Sequence, residues 1–453
     1  MMLPIDFLDQ MKALLNEQEY EAFIKALAED EQITSIRVNP TKITPENIIS
    51  SFEGNSRVGW CEDGIYLKDR PQFTLDPMLH AGAYYVQEAS SMFIAHVLRS
   101  LISTPVTCLD FCAAPGGKST ATLSVLPKGS YLISNEIDRR RARILAENIT
   151  KWGNPNVTVT CNAPKDFRGL RHTFDVIIAD VPCSGEGMFR KDEGAIADWS
   201  LSKVESCAKL QHEIIAEIWD CLKPGGILIY STCTFNIEED EKMVDYICSE
   251  LGAKAIEIPI MPEWHIHKPL SGDNPCYRFM PHYTKGEGLF MAALRKENGI
   301  VQPARLKKSP TKKIKATKDI SDWVTIPVEL EQNEEGIISA IPSSHKELHN
   351  LIVGNGLYIL QAGIELGTVK GKDIIPSHNL ALSNALSETA FSRHEVTEEL
   401  ALDYLRRLAF VLPQDAPTGY LVLTYHSLPL GFVKNLGNRC NNLYPQEWRI
   451  RNL

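Results

Sequence analysis

The 11 cysteines include no Cys-x-x-Cys pair and no Cys/His cluster at zinc-finger spacing. That argues against a structural metal and against a secreted disulfide framework, so free thiols and no metal are expected. No apolar run is long enough to cross a bilayer, and no basic segment followed by an apolar stretch opens the chain. A cytoplasmic protein without a membrane partner is therefore predicted. Basic excess is missing too: 47 Lys and Arg against 57 Asp and Glu leave a formal charge of -10. A generic nucleic-acid binder has the opposite balance, so any such role needs a local basic surface. What is present, 453 residues with 44% hydrophobic and 23% charged, suffices for a sizeable core, in about two or three domains.

The most informative stretch is Val106-Thr-Cys-Leu-Asp-Phe-Cys-Ala-Ala-Pro-Gly-Gly-Lys118. Its first half has the apolar and β-branched content of a buried strand, and Lys118 to Leu126 continues as a helix until Pro127. Gly116 and Gly117 between them permit a sharp turn that a ligand can approach closely, and the helix start offers unpaired N–H groups. A second strand, Tyr131 to Ser134, ends at Asn135-Glu136, which places a carboxylate where nucleotide-binding α/β sheets hold a ribose. The spacing suggests a nucleoside-type cofactor; a plain glycine turn with a surface acid satisfies the same two features.

Around this stretch the chain reads as alternating helices and strands. Pro4 to Ala28 is one or two amphipathic helices, and Ile33 to Pro40 alternates like a strand, with Arg37 read as a solvated edge residue. Gly82 to Met92 leads into a helix that ends near Leu101, with Glu88, Ser90 and Ser91 suited to capping it. The helix from Ile137 to Trp152 crowds Arg139, Arg140, Arg141 and Arg143 at its positive end, which calls for a partner. Val157 to Thr160 and Phe174 to Asp180 are the third and fourth strands, the third followed by Asn162. A rigid loop, Asp180-Val-Pro-Cys-Ser-Gly-Glu-Gly187, presents Asp180 and Cys183 at the crevice. A helix from Ser202 to Leu222 precedes a fifth strand, Ile227 to Tyr230, which runs into Ser231-Thr-Cys-Thr-Phe235. Cys183 and Cys233 thus stand just past the carboxyl ends of two strands of one sheet. Glu238 to Ser249 is a helix, Gly286 to Ala293 a late strand, and His282 is read as a satisfied surface or core group. A basic segment from Arg295 to Lys318 follows as a tether. Beyond it, Leu357 to Gly363, Leu366 to Lys370, Tyr420 to Tyr425 and Pro429 to Lys434 are strands, with a helix from Thr397 to Leu408. Arg439 to Arg451 mixes arginines with Tyr444 and Trp448, which suits stacking on unpaired bases and an ordinary domain edge equally.

Cys112-Ala-Ala-Pro-Gly-Gly-Lys118, Asp180-Val-Pro-Cys-Ser-Gly185 and Ser231-Thr-Cys-Thr234, in that order, resemble the motifs of the Sun-type RNA cytosine-5 methyltransferases. Gln87-Glu-Ala-Ser-Ser-Met92, Gly187-Met-Phe-Arg-Lys-Asp192, Pro281-His282 with Gly286-Glu-Gly288, and the tail Gly431 to Arg449 resemble the RsmF-type branch that acts on bacterial 16S ribosomal RNA. The resemblance spans nearly the whole chain. It implies an α/β fold: a Rossmann-like S-adenosylmethionine-dependent methyltransferase sheet with a small N-terminal α/β appendage and a C-terminal PUA-like α+β domain. The expected divisions are 1–79 for the RNA-binding appendage, 80–296 for the methyltransferase domain, 297–321 for the basic linker and 322–453 for the PUA-like RNA-binding domain.

The resemblance further implies transfer of methyl from S-adenosylmethionine to carbon 5 of a cytosine in RNA. Cofactor contacts carry over to Cys112, Ala113, Ala114, Pro115, Gly116, Gly117, Lys118, Glu136 and Asp180. An acid that some relatives place near the adenine falls at or beside Asn162, which is not acidic here but is expected among the cofactor contacts, where it could touch the base. Carbon 5 of cytosine is a poor nucleophile, so a thiolate must first add at carbon 6, and Cys233 matches that nucleophile. Asp180 matches the acid at N3, Cys183 the cysteine that assists release, and Lys118 is taken to hold the loop or the acid. The base must lie outside a helix for both faces to be reached. The expected partner is 16S ribosomal RNA or the small ribosomal subunit, met by a monomer. Transfer RNA as substrate, and a ribosome-assembly factor that binds RNA without catalysis, stay open as alternatives. A nicotinamide enzyme is disfavoured because Ala-Ala-Pro-Gly-Gly lacks the spaced glycines of that fingerprint.

Overall fold

Apolar strands whose successive residues face opposite ways build the centre of the molecule. Val176 and Ile178 enter one core with Cys108, Leu132 and Ile229, while Ile177 and Ala179 enter a second with Leu109, Ile133 and Tyr230. A sheet covered on both faces requires such runs. The computed structural model describes residues 3–29, 33–49, 52, 55–299, 301, 304, 312–313 and 318–451.

Across the central sheet the strands lie in the order Ala253–Ile256, Leu289–Lys296, Leu222–Thr232, Phe174–Asp180, Thr107–Asp110, Tyr131–Asn135, Val157–Thr160 and Ile359–Ala362. The five from Leu222–Thr232 to Val157–Thr160 are parallel. Strand order reverses between Thr107–Asp110 and Phe174–Asp180, and a ligand crevice is expected past the carboxyl ends there.

The outermost strand is a departure from the expected division of the chain. Ile359–Ala362, assigned by its sequence to the C-terminal module, pairs antiparallel with Val157–Thr160. The remainder of 322–453 contributes to two separate sheets, a five-stranded one that includes Val328–Gln332 and Ile364–Lys370 and takes its edge strand Lys312–Lys313 from the expected linker, and a four-stranded one from Ser392–Glu395 to Cys440–Asn442. At the other end, Tyr84–Val86 is a strand paired with Thr34–Val38, so the boundary expected at 79 falls inside the N-terminal unit. The helix expected to follow begins only at Phe93. Most of the basic tether, including Arg305, Lys307, Lys308 and Lys315, lies outside the described residues, whereas Lys296 ends the central-sheet strand Leu289–Lys296 and is buried.

The N-terminal helices Ile5–Leu14 and Glu17–Ala28 are separated by a capping box between Asn16 and Glu19. Their apolar faces seat Phe7 against Phe189 and Trp199, and Phe23 against Phe235, at centroid distances of 5.1, 5.7 and 5.1 Å. They therefore brace the two loops that follow Cys183 and Cys233.

Arg37 is the clearest correction to the sequence reading. It is 1% exposed instead of solvated. Its Nε donates to Gln87 Oε1 at 2.7 Å, and its Nη2 donates to Thr120 Oγ1 at 2.6 Å and Gly117 O at 3.3 Å. The guanidinium also lies over the Trp152 ring at 4.4 Å. Five fixed donors let one side chain fasten the N-terminal sheet to the glycine turn. Burial pushes its pKa down to about 10. Among the described residues no helix is long and apolar enough to cross a membrane.

Candidate active site

The glycine turn takes the expected form. Gly116 adopts φ +112°, a conformation L side chains rarely hold, and the helix Gly117–Val125 starts directly after it. Asp110 at the end of the preceding strand is fully buried and accepts from Ser119 Oγ at 2.6 Å. Burial, reinforced by Asp180 and Glu136, pushes its pKa up to about 7.

A cavity of about 380 Å³ opens past the strand ends, walled among others by Cys112, Glu136, Arg141, Asp180, Cys183 and Cys233. Pro164, Leu210 and Ile214 are shared between it and a larger groove of about 830 Å³. Glu136 is 3% exposed; its Oε1 accepts from the Asp138 amide at 3.0 Å, while Oε2 accepts no hydrogen bond. Arg141 approaches that free oxygen at 3.4 Å and donates to Ala114 O at 2.8 Å, which gives one of the crowded arginines its partner. A carboxylate oxygen that accepts no hydrogen bond on the wall of a cavity suits the hydroxyls of a ribose.

Lys118 Nζ lies 2.9 Å from Asp180 Oδ2, and Ser231 Oγ donates to Oδ1 at 2.7 Å. Burial alone would lower the Lys118 pKa, but Asp180, Cys233 and Asp110 together outweigh it and hold the ammonium above its ordinary value. The Sγ atoms of Cys183 and Cys233 are 3.2 Å apart, both thiols free. The hydrogen bond to Cys233, then burial, raises the Cys183 thiol well above its usual value, so Cys183 retains its proton.

Two buried acids absent from the sequence reading fix these loops. Glu186 accepts from the Phe235 and Asn236 amides at 2.7 and 3.1 Å and from Trp199 Nε1 at 3.0 Å. Glu239 accepts from the Ser184 amide at 3.0 Å and from Gln211 Nε2 at 2.7 Å. Each acid joins the Cys183 loop to the Cys233 loop. Gly187 completes the seam: its amide donates to Cys233 O at 2.8 Å, and a Cβ there would meet that oxygen at 3.0 Å. The spacing of Glu186 between two glycines was the available signal.

The structure brings together Cys112, Glu136, Asp180, Cys183 and Cys233 on one wall, with Lys118 behind Asp180. Ala113, Ala114, Pro115, Gly116 and Gly117 shape the turn and are not part of that wall. Asn162 is not part of it either. Its Oδ1 accepts from the Tyr358 amide at 2.8 Å and its Nδ2 donates to Tyr358 O at 3.0 Å, so the side chain fastens the outermost strand. Tyr444, offered as a stacking surface, is a fully buried core residue; Trp448 packs beside His378 at 5.2 Å. His282 is also turned inward, against Phe23 and Tyr283, with neither ring nitrogen hydrogen-bonded, and burial pushes its pKa down to about 4.

Comparison with known proteins agrees with this geometry. Residues 103–295 match the family described as 16S rRNA methyltransferase RsmB/F, residues 3–89 the N-terminal domain of 16S rRNA methyltransferase RsmF, and residues 391–450 the methyltransferase RsmF PUA domain. Proteins named ribosomal RNA small subunit methyltransferase F from Klebsiella pneumoniae and Escherichia fergusonii are each 30% identical, over 98% of this chain and 96% of theirs. In fold, the chain is similar to NSun6 from Pyrococcus horikoshii solved with SFG, at 22% identity and TM-score 0.56 over 65% of this chain and 99% of that one. A methyltransferase homologue from the same organism gives 25% identity and TM-score 0.54 over 65% and 100%. At 30% identity over nearly its full length, the chain belongs to the RsmB/F family of 16S rRNA methyltransferases.

Proposed function

We propose that this enzyme transfers a methyl group from S-adenosylmethionine to carbon 5 of a cytosine in small-subunit ribosomal RNA, through a covalent bond between Cys233 and carbon 6. The observation that carries the reading is the pair of sulfurs 3.2 Å apart on the wall that also holds Glu136. The family membership and the names of the relatives support the substrate.

Glu136 would hold the ribose of the cofactor, and Cys112 and the glycine turn would border its remainder. When bound, S-adenosylmethionine supplies an electrophilic methyl group. Cys233 Sγ adds to carbon 6 as a thiolate, which turns the ring into an enamine with a nucleophilic carbon 5. Asp180 takes the proton that Cys233 gives up and passes it to N3; Lys118 and Ser231 hold its two oxygens in place. After methylation, carbon 5 loses its proton, the bond from carbon 6 to Cys233 breaks, and N3 returns its proton to Asp180. Cys183 relays the carbon 5 proton: its Sγ–H proton passes to the departing Cys233 sulfur, and in the same step the Cys183 sulfur takes up the proton from carbon 5. Both cysteines then leave the cycle as thiols, and Asp180 gives the net proton to solvent.

Incubating the purified protein with methyl-labelled S-adenosylmethionine and, in parallel, a 16S ribosomal RNA transcript or transfer RNA, followed by bisulfite sequencing, tests the reading. Label at carbon 5 of cytosine is expected. Label confined to transfer RNA, or none on RNA at all, would refute it.

A further inference from the structure

Three stretches that the catalytic scheme does not use converge on one place: Gln87 to Met92, Gly187 to Asp192, and Gly286 to Gly288. Between the first two lies a polar cleft of about 440 Å³, bordered by Ser35, Arg70, Gln87, Glu88, Arg190 and Lys191. Glu287 stands behind it, tied to Arg190 Nε at 2.8 Å and to Lys191 Nζ at 3.3 Å, and its amide donates to Glu88 Oε1 at 3.1 Å.

The charges of this cleft do not balance internally. Glu88 is the one acid on its wall, and its oxygens are committed to the amides of Ser90, Ser91 and Glu287 at 3.0, 2.8 and 3.1 Å. Glu287 faces two cations with one carboxylate. Arg70 is exposed and forms no ion pair with a described acid; its guanidinium lies 5.6 Å from the Phe73 ring. A concave, polar wall with cations in excess, on a chain with a formal charge of -10, is a local exception to the composition.

The cleft is also joined to the chemistry. Its Arg190 and Lys191 side continues the loop that bears Cys183 and is pinned through the Gly187 amide to Cys233 O at 2.8 Å. Its Gln87 side bonds Arg37, whose guanidinium reaches Gly117 O. A strand that delivers a base to Cys233 needs its backbone charge met beside these two segments.

We infer that this cleft is a subsite for a phosphodiester of the RNA strand flanking the acceptor cytosine, with Arg70 and Lys191 as its contacts and Arg190 as the support that orients Lys191 through Glu287. The inference rests on the reading of the protein as an RNA methyltransferase.

The test is the double substitution Arg70→Ala with Lys191→Ala, beside the charge reversal Arg70→Glu with Lys191→Glu, in the full chain. Three quantities decide it: KM for a 16S ribosomal RNA transcript, Kd for a short single-stranded cytosine-containing oligoribonucleotide at several salt concentrations, and Kd for S-adenosylmethionine. The alanine pair should raise KM and Kd for RNA about tenfold, as expected for a few charge-assisted contacts. It should also flatten the salt dependence of log Kd by about 0.7 per lost phosphate contact. The glutamate pair should weaken RNA binding further. Cofactor affinity and kcat at saturating RNA should stay within twofold in both. RNA constants within twofold of wild type would overturn the subsite, and so would a parallel loss of cofactor affinity, which would mark the residues as structural. Failure of the wild-type protein itself to methylate RNA would instead bring down the underlying reading.

Discussion

Cys183 and Cys233, fifty positions apart in the chain, place their sulfur atoms 3.2 Å from each other at the ends of adjacent parallel strands. The hydrogen bond to Cys233 and burial raise the Cys183 thiol well above its usual value. The roles proposed for the two are separable by substitution.

Cys233→Ala removes the attacking atom and little else. Methylation of RNA should fall below detection while calorimetric titration finds cofactor affinity within about twofold of wild type, since the cavity wall around Glu136 is untouched. Turnover at a sizeable fraction of the wild-type rate would reassign the nucleophile.

Cys183→Ala leaves attack intact and removes the proton donor for release. With RNA and cofactor present, a covalent protein–RNA species should accumulate and survive a denaturing gel. Its absence, alongside normal turnover, would strip Cys183 of that role.

Lys118→Met leaves Asp180 without its cation at 2.9 Å. A lost hydrogen bond to a charged group costs about 2 kcal/mol in stability. The rate should suffer more, falling on the order of a hundredfold, the range expected when an acid–base group loses its partner. Steady-state kinetics together with thermal unfolding separate the two effects, and Lys118→Arg should recover part of the stability but little of the rate because its planar head is larger.

Arg37→Met leaves Gln87 Oε1 without its donor inside the protein and removes the donors to Thr120 Oγ1 and Gly117 O, which keep their bond to each other. Unpaired buried groups cost about 1–3 kcal/mol each, so the melting temperature should drop by several degrees. Because the clamp ends on the glycine turn, Kd for the cofactor should rise as well; an unchanged Kd would show that the turn holds its shape without the N-terminal sheet.

Asp110 adds a pH signature. Its folded pKa of about 7 lies above its unfolded value near 4, so the native state binds the extra proton between those limits and stability falls as pH rises through that window. Asp110→Asn retains the acceptor for Ser119 but cannot ionise. The variant should therefore gain on wild type between pH 4 and pH 7, by an amount of order 4 kcal/mol at most, and melting curves across that range check the slope.

Much of this was legible in the chain because it depends on neighbours in sequence. The parallel strands follow from apolar runs, the turn at Gly116 from a backbone that only glycine adopts readily, and the placement of Cys183 and Cys233 from loops that begin where strands stop. Strand order and family membership agree with the motif order that the sequence displays. What the sequence by itself determined, then, was which segments become strand, turn and helix, and which reactive side chains stand at their ends.

Only the tertiary structure decided which of those side chains meet. Arg37 looked like a surface cation because an isolated arginine prefers water; it is buried because Gln87, Thr120, Gly117 and Trp152, from distant parts of the chain, satisfy it together. Asn162 was withdrawn from the cofactor by Tyr358, nearly two hundred positions downstream, and the helices that carry Phe7 and Phe23 reached past their own domain to brace the cysteine loops. Burial of a polar or aromatic group is set by the partners that surround it, and those partners come from chain segments whose pairing no local pattern encodes.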